Sequence, residues 1–99
     1  MPLWSITIKK NGSPPPPGVF DPVQLTNVKV GDQIYWRNND DEAHWPGKLG
    51  PNGSIDETYF MPYQIPGGSP SSTFIPGAPG EITYACSKHP AETGCIVVS

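Results

Sequence analysis

Apolar and polar residues alternate with a period of two along Trp-Ser-Ile-Thr-Ile at residues 4–8, so a strand is predicted there with Trp4, Ile6 and Ile8 on one face. Asn11-Gly12 closes it as a turn, and Pro14 to Pro17, which have no backbone donors, form an extended surface loop. Val28 and Val30 lead into Gly31-Asp32 and then Gln33-Ile34-Tyr35-Trp36, which reads as strand, tight turn and strand with Ile34 and Trp36 inward. Residues 46–70 are broken repeatedly by Gly, Pro, Asn and Ser, leaving room for one short strand at Thr58–Met61. Further strands are predicted at Ser72–Ile75, at Glu81–Cys86 with Ile82, Tyr84 and Cys86 on one face, and at Cys95–Val98 with Ile96 and Val98 together; Gly77–Gly80 is a turn. No apolar pattern holds a helical period long enough for a helix. Seven or eight short strands in 99 residues predict an all-β sandwich in a single domain, 1–99.

Composition tests that picture. Eleven Gly and fourteen Pro bring the chain to the edge of the low-complexity range. Against disorder stand a net charge of only −3 and ten aromatic residues, three Trp, four Tyr and three Phe, which supply surface worth burying. Six Lys and Arg are scattered rather than massed, which excludes an electrostatic footprint for nucleic acid. No apolar run is long enough to span a bilayer. Met1-Pro2 leads directly into the first strand without a leader-like apolar stretch. The expectation is a mature periplasmic or secreted form, with a cytoplasmic protein as the alternative.

Both histidines fall beside chemically interesting neighbours. Cys86 and His89 lie three residues apart where a strand gives way to a loop, and His44 lies in the loop after the Ile34–Trp36 strand. A sandwich brings such loops to one end. A thiolate with two imidazoles suits copper in both oxidation states, since sulfur favours Cu(I) and nitrogen tolerates Cu(II). A site of Cys, two His and a carboxylate would also accept zinc. Cys86 could instead pair with Cys95, although strand parity turns the first inward and the second outward. Asn11-Gly12-Ser13 and Asn52-Gly53-Ser54 match glycosylation sequons, but Asn-Gly is more simply a turn signal.

The order Tyr84-x-Cys86-x-x-His89-Pro90-x-x-x-Gly94-x-Ile96-x-Val98 resembles the C-terminal signature of cupredoxins. Gly31-Asp32-x-Ile34-x-Trp36-x-Asn38, followed by His44, resembles the first-histidine segment of amicyanin and its relatives. Together the two segments cover about a third of the chain. The resemblance implies a Greek-key β-sandwich and a copper ion held by His44, Cys86 and His89. It also has two departures. Glu92 stands where short-loop members carry an axial Met, and Trp45 stands where many members carry an Asn that ties the ligand loops together. Glu92 is either a solvated loop carboxylate or a fourth ligand, which would resemble the red-copper set of one Cys, two His and one Glu.

The function implied is one-electron transfer to a transient redox partner protein. Trp45, Pro46, Pro90 and the Pro62–Pro66 segment are the candidate apolar docking patch around His89. The alternative is a small copper enzyme with an open or Glu-ligated axial position. Copper storage ranks below both, because cytosolic carriers rely on thiol pairs.

Overall fold

The computed structural model describes residues 3–9 and 20–99, the side chains of residues 89–91 excepted. The predicted Asn11-Gly12 turn and the Pro14–Pro17 loop lie outside the described residues. In chain order the strands are β1 (Leu3–Ile8), β2 (Phe20–Asp21), β3 (Gln24–Val28), β4 (Gln33–Asn38), β5 (Pro46–Leu49), β6 (Ile55–Asp56), β7 (Gly80–Cys86) and β8 (His89–Val98). They form a three-stranded sheet, β2-β1-β4, and a five-stranded sheet, β3-β8-β7-β5-β6. No helix occurs among the described residues, so none there is long and apolar enough to cross a membrane.

The alternation predicted for β1 holds. Ile6 and Ile8 are fully buried, and Ile6 sits opposite Trp36 in the parallel β1–β4 pair. β3 and β4 do not make a hairpin. Residues 29–32 instead carry the chain from one sheet to the other, with the Asp32 carboxylate accepting from the Lys29 amide and from the Trp4 indole N–H. That crossing is what lets Ile34 and Trp36 of one sheet face Ile82, Tyr84 and Cys86 of the other across a shared core. At its centre Trp36 meets Tyr84 edge-on, with ring centroids 5.4 Å apart, and Phe60 at 4.7 Å. Phe20 closes on Tyr84 from another side at 4.9 Å. These tilted and edge-on contacts are the arrangements that ring quadrupoles favour.

Three strand expectations are corrected. Thr58–Met61 is a turn, and the short strand lies just before it at β6. The Asp56 carboxylate accepts from the Thr58 amide and the Asp56 carbonyl from the Tyr59 amide, so neither N–H is left for a ladder. The same turn drops Phe60 and Met61 into the core. Ser72–Ile75 is not a strand either. The segment touches the edge of β4 at a single bridge, Ile34 with Phe74, and just before it the Trp36 amide donates to the Ser71 hydroxyl instead of to a backbone carbonyl, which interrupts a continuous ladder. The last strand begins not at Cys95 but at His89, six residues earlier, straight after a tight turn at 87–88.

Candidate metal centre

The early start of β8 decides where Glu92 goes. From Thr93 onward β8 pairs regularly with β7, Ala85 lying opposite Thr93, but Cys86 pairs with His89. Residues 90–92 therefore bulge out of the register at the end of the sheet. From the last residue of the bulge onward the inner face of β8 reads Glu92, Gly94, Ile96, Val98, all buried. Glu92 is 5% exposed, so it is not a solvated loop carboxylate. Gly94 is required two residues on, since a Cβ there would run into the Tyr84 ring. Cys86 is reached from the other side by parity. It follows Ile82 and Tyr84 along the inner face of β7 and is fully buried.

His44 arrives from the segment between β4 and β5. Its backbone amide donates to the Ile65 carbonyl at 3.1 Å and its carbonyl accepts from the Ile65 amide at 2.7 Å, so the residue is pinned on both sides. The next residue ties this segment to the cysteine. Trp45 donates its amide to Cys86 Sγ at 3.4 Å and accepts from the Ser87 amide at 2.9 Å. The two ligand segments are thus linked through the Trp45 backbone. Pro46, offered as part of an apolar surface patch, is buried at the start of β5 instead.

Three donor atoms converge. His44 Nδ1 lies 3.6 Å from Cys86 Sγ and 3.1 Å from Glu92 Oε1, and ligand atoms of all three residues lie within 4.8 Å of one another. A metal bonded at about 2.0–2.3 Å in tetrahedral geometry separates its N, O and S donors by roughly 3.4–3.6 Å. The side chains fit one small ion with little adjustment. One imidazole, one thiol and one carboxylate are a donor set that accepts copper or zinc. His89 opens β8 with its backbone opposite Cys86, and its side chain lies outside the described residues.

Sequence reasoning missed Asp40, and it placed Asn38 in a motif without foreseeing its contact with Asp40. Asp40 Oδ2 lies 2.8 Å from His44 Nε2, and both side chains are buried. Asn38, fully buried at the end of β4, accepts the Asp40 amide on its Oδ1 and donates from Nδ2 to the carbonyls of Glu42 and Ile65. The available signal was Asn38-Asn39-Asp40-Asp41, four residues whose side chains readily bond nearby backbone, just ahead of a histidine.

Burial by itself pulls the His44 imidazolium towards neutrality. Hydrogen bonds to Cys86 and Asp40, with the negative charges of Cys86 and Glu92, outweigh it and push the pKa from 6.5 up to about 9. In the metal-free protein this proton stabilises the fold fully below about pH 6.5, and the contribution is lost as the pH rises through about 9. Thermal unfolding of the metal-free protein should therefore show Tm falling between those values. A His44→Gln variant should lose that slope, and a wild-type Tm flat over the interval would contradict the assignment.

Cys95 takes no part in the site. Cys86 and Cys95 are not joined in a disulfide, and Cys95 faces away from Cys86 with its thiol 3.7 Å from Glu81 Oε1. Burial, followed by the Glu81 charge, raises its pKa and keeps it a thiol at neutral pH.

No protein-family model and no curated protein matches the chain. Solved structures do. A purple cupredoxin from Nitrosopumilus maritimus superposes with a TM-score of 0.81 at 24% identity, over 96% of this chain and 98% of that one. A reduced Cu(I) form of an amicyanin variant at pH 4 gives a TM-score of 0.71 at 22% identity, over 98% and 82%. The Cu(I) form of another amicyanin variant gives 0.68 at 23%, over 100% and 84%. The chain has the cupredoxin β-sandwich fold.

Proposed function

We propose that, on this fold, the chain holds one copper ion through His44, Cys86 and Glu92, with His89 as the further ligand implied by the motif, and serves as a one-electron carrier to a transient partner protein. The observation that carries the reading is the convergence of His44 Nδ1, Cys86 Sγ and Glu92 Oε1 in a buried end of the sandwich. When bound, copper supplies the Cu(I)/Cu(II) couple. The chain supplies stiffness. Two donors are anchored by backbone pairing, His44 through Ile65 and Cys86 through β7 and Trp45, and Glu92 is held next to the Ala85–Thr93 pair of β7 and β8. Such anchoring resists rearrangement between oxidation states, which suits electron transfer. A surface depression of about 390 Å³ lined by Glu42, Ala43, Gln64 and Lys88 adjoins the two ligand segments, His44 following Ala43 and Cys86 preceding Lys88 by two residues, and offers a partner an approach to the site.

Loading with Cu(II), then recording visible and electron paramagnetic resonance spectra and voltammetry, tests the reading. A thiolate-to-copper absorption with a reversible one-electron wave is expected. A protein that binds zinc tightly and gives no such band with copper would overturn it. Glu92 can be read separately. A carboxylate is a harder and stronger donor than an amide, so it stabilises Cu(II). Glu92→Gln should shift the visible band and raise the reduction potential, and an unchanged spectrum would remove Glu92 from the ligand set.

A further inference from the structure

We propose that Asp40 is a positioning residue of the metal centre: it sets the His44 ring with Nδ1 towards Cys86 and Glu92, and its negative charge behind the ring favours the more oxidised metal. The inference rests on the copper reading above.

The geometry is specific. Asp40 Oδ2 sits 2.8 Å from His44 Nε2, with the two side chains 3% and 1% exposed. A carboxylate can only accept in this contact, so Nε2 keeps its hydrogen and Nδ1 is left as the atom that faces the thiol and Glu92. Asp40 is itself held. Its Oδ1 accepts from the Asp41 amide at 2.7 Å, and its own amide donates to Asn38 Oδ1 at 2.9 Å. Asn38 Nδ2 reaches the Ile65 carbonyl at 3.1 Å, and Ile65 pairs with the His44 backbone. The chain of contacts closes on itself: Asn38, Asp40, His44, Ile65 and back to Asn38. Rotating the imidazole would break the Asp40 contact and leave a buried carboxylate facing carbon, which is costly.

The carboxylate adds something a backbone carbonyl in the same place would not. A carbonyl fixes the tautomer equally well, but a carboxylate also brings a full charge next to a ligand ring in a water-poor setting. Such partners orient a metal-bound histidine and raise its basicity, and their loss commonly costs 10–100-fold in metal affinity. Cu(II) gains more from that basicity than Cu(I), so Asp40 holds the potential down.

Two variants separate orientation from charge. Asp40→Asn keeps an acceptor oxygen in nearly the same shape and removes the charge; Asp40→Ala removes both. With Asp40→Asn the preference for Cu(II) over Cu(I) should fall about tenfold, read as a potential about 59 mV higher, while nitrogen NMR of the Zn(II)-loaded variant still shows a slowly exchanging proton on His44 Nε2. Asp40→Ala should lose that proton's protection and bind metal about 10–100-fold more weakly. A wild-type potential in Asp40→Asn would overturn the charge role. Wild-type Zn(II) protein without a protected proton on His44 Nε2 would overturn the positioning role, and that measurement needs no variant to fold. If wild-type protein shows no thiolate-to-copper band, the copper reading fails, while the zinc spectrum still judges Asp40 on its own.

Discussion

Cys86→Ser should abolish the visible absorption of the copper-loaded protein outright. The thiolate is the soft donor of the set, and a serine hydroxyl neither ionises at neutral pH nor matches Cu(I). The loss in Cu(I) affinity should exceed the roughly 10–100-fold that follows removal of an outer partner, since here a ligand atom itself is gone. The fold should survive, because Ser is close to Cys in size and the Trp45 amide can donate to its hydroxyl as it does to Cys86 Sγ. Far-ultraviolet circular dichroism checks that condition. Persistence of a strong visible band in this variant would mean that Cys86 is not the thiolate donor, and the proposed site would fall with it.

The second large effect belongs to the core. Trp36→Ala should lower the stability of the metal-free protein by about 3–5 kcal/mol, a large part of the roughly 5–15 kcal/mol that a domain of this size commands. Trp36 is fully buried and its ring touches both Phe60, from the turn after β6, and Tyr84, from the opposite sheet. Removing it empties the place where three parts of the chain meet. Trp36→Phe should recover most of the loss by keeping an aromatic face against Tyr84. Denaturant unfolding of the metal-free variants measures both, and a loss below about 1 kcal/mol for Trp36→Ala would show that the cavity collapses and that the ring does not hold the sheets together. Tyr84 stands two residues before Cys86 on one face, so the same packing fixes the angle from which the thiol enters the site.

Periodicity and spacing made part of this site legible. The period-two pattern at β1, β4 and β7 pointed Ile6, Ile34, Trp36, Tyr84 and Cys86 inward, and each is buried. The order of His44, Cys86, His89 and Gly94, with the residues around them, carried the resemblance to cupredoxins. What stayed hidden depends on pairing between distant residues. The bulge at residues 90–92 exists only because Cys86 takes His89 as its partner, and nothing local to Pro-Ala-Glu-Thr announces a strand. In sequence, Glu92 therefore reads as a loop carboxylate, solvated or bound to the metal, whereas the structure gives it the inner face of β8. The segment 46–70 was obscure for a related reason. Its turns are set by Asp56 and its prolines, and its apolar residues Phe60, Met61 and Ile65 enter the core singly, with no period to betray them. Asp40 escaped notice because a buried carboxylate looks, in sequence, like any other acid in a polar loop.

The sheet order β3-β8-β7 has a consequence for how the centre is assembled. β8 follows every other described strand in the chain, yet it lies inside its sheet, parallel to β3 on one side and antiparallel to β7 on the other. The Ser99 amide closes that insertion on the Val28 carbonyl, 71 residues away in sequence. Pairings this distant make a folding reaction slow, on the order of milliseconds to seconds. Until β8 slots in, β3 and β7 are open edges and Glu92 is nowhere near His44. The three-donor site therefore depends on pairings distant in sequence, because only β8 seated between β3 and β7 brings Glu92 beside His44 and Cys86.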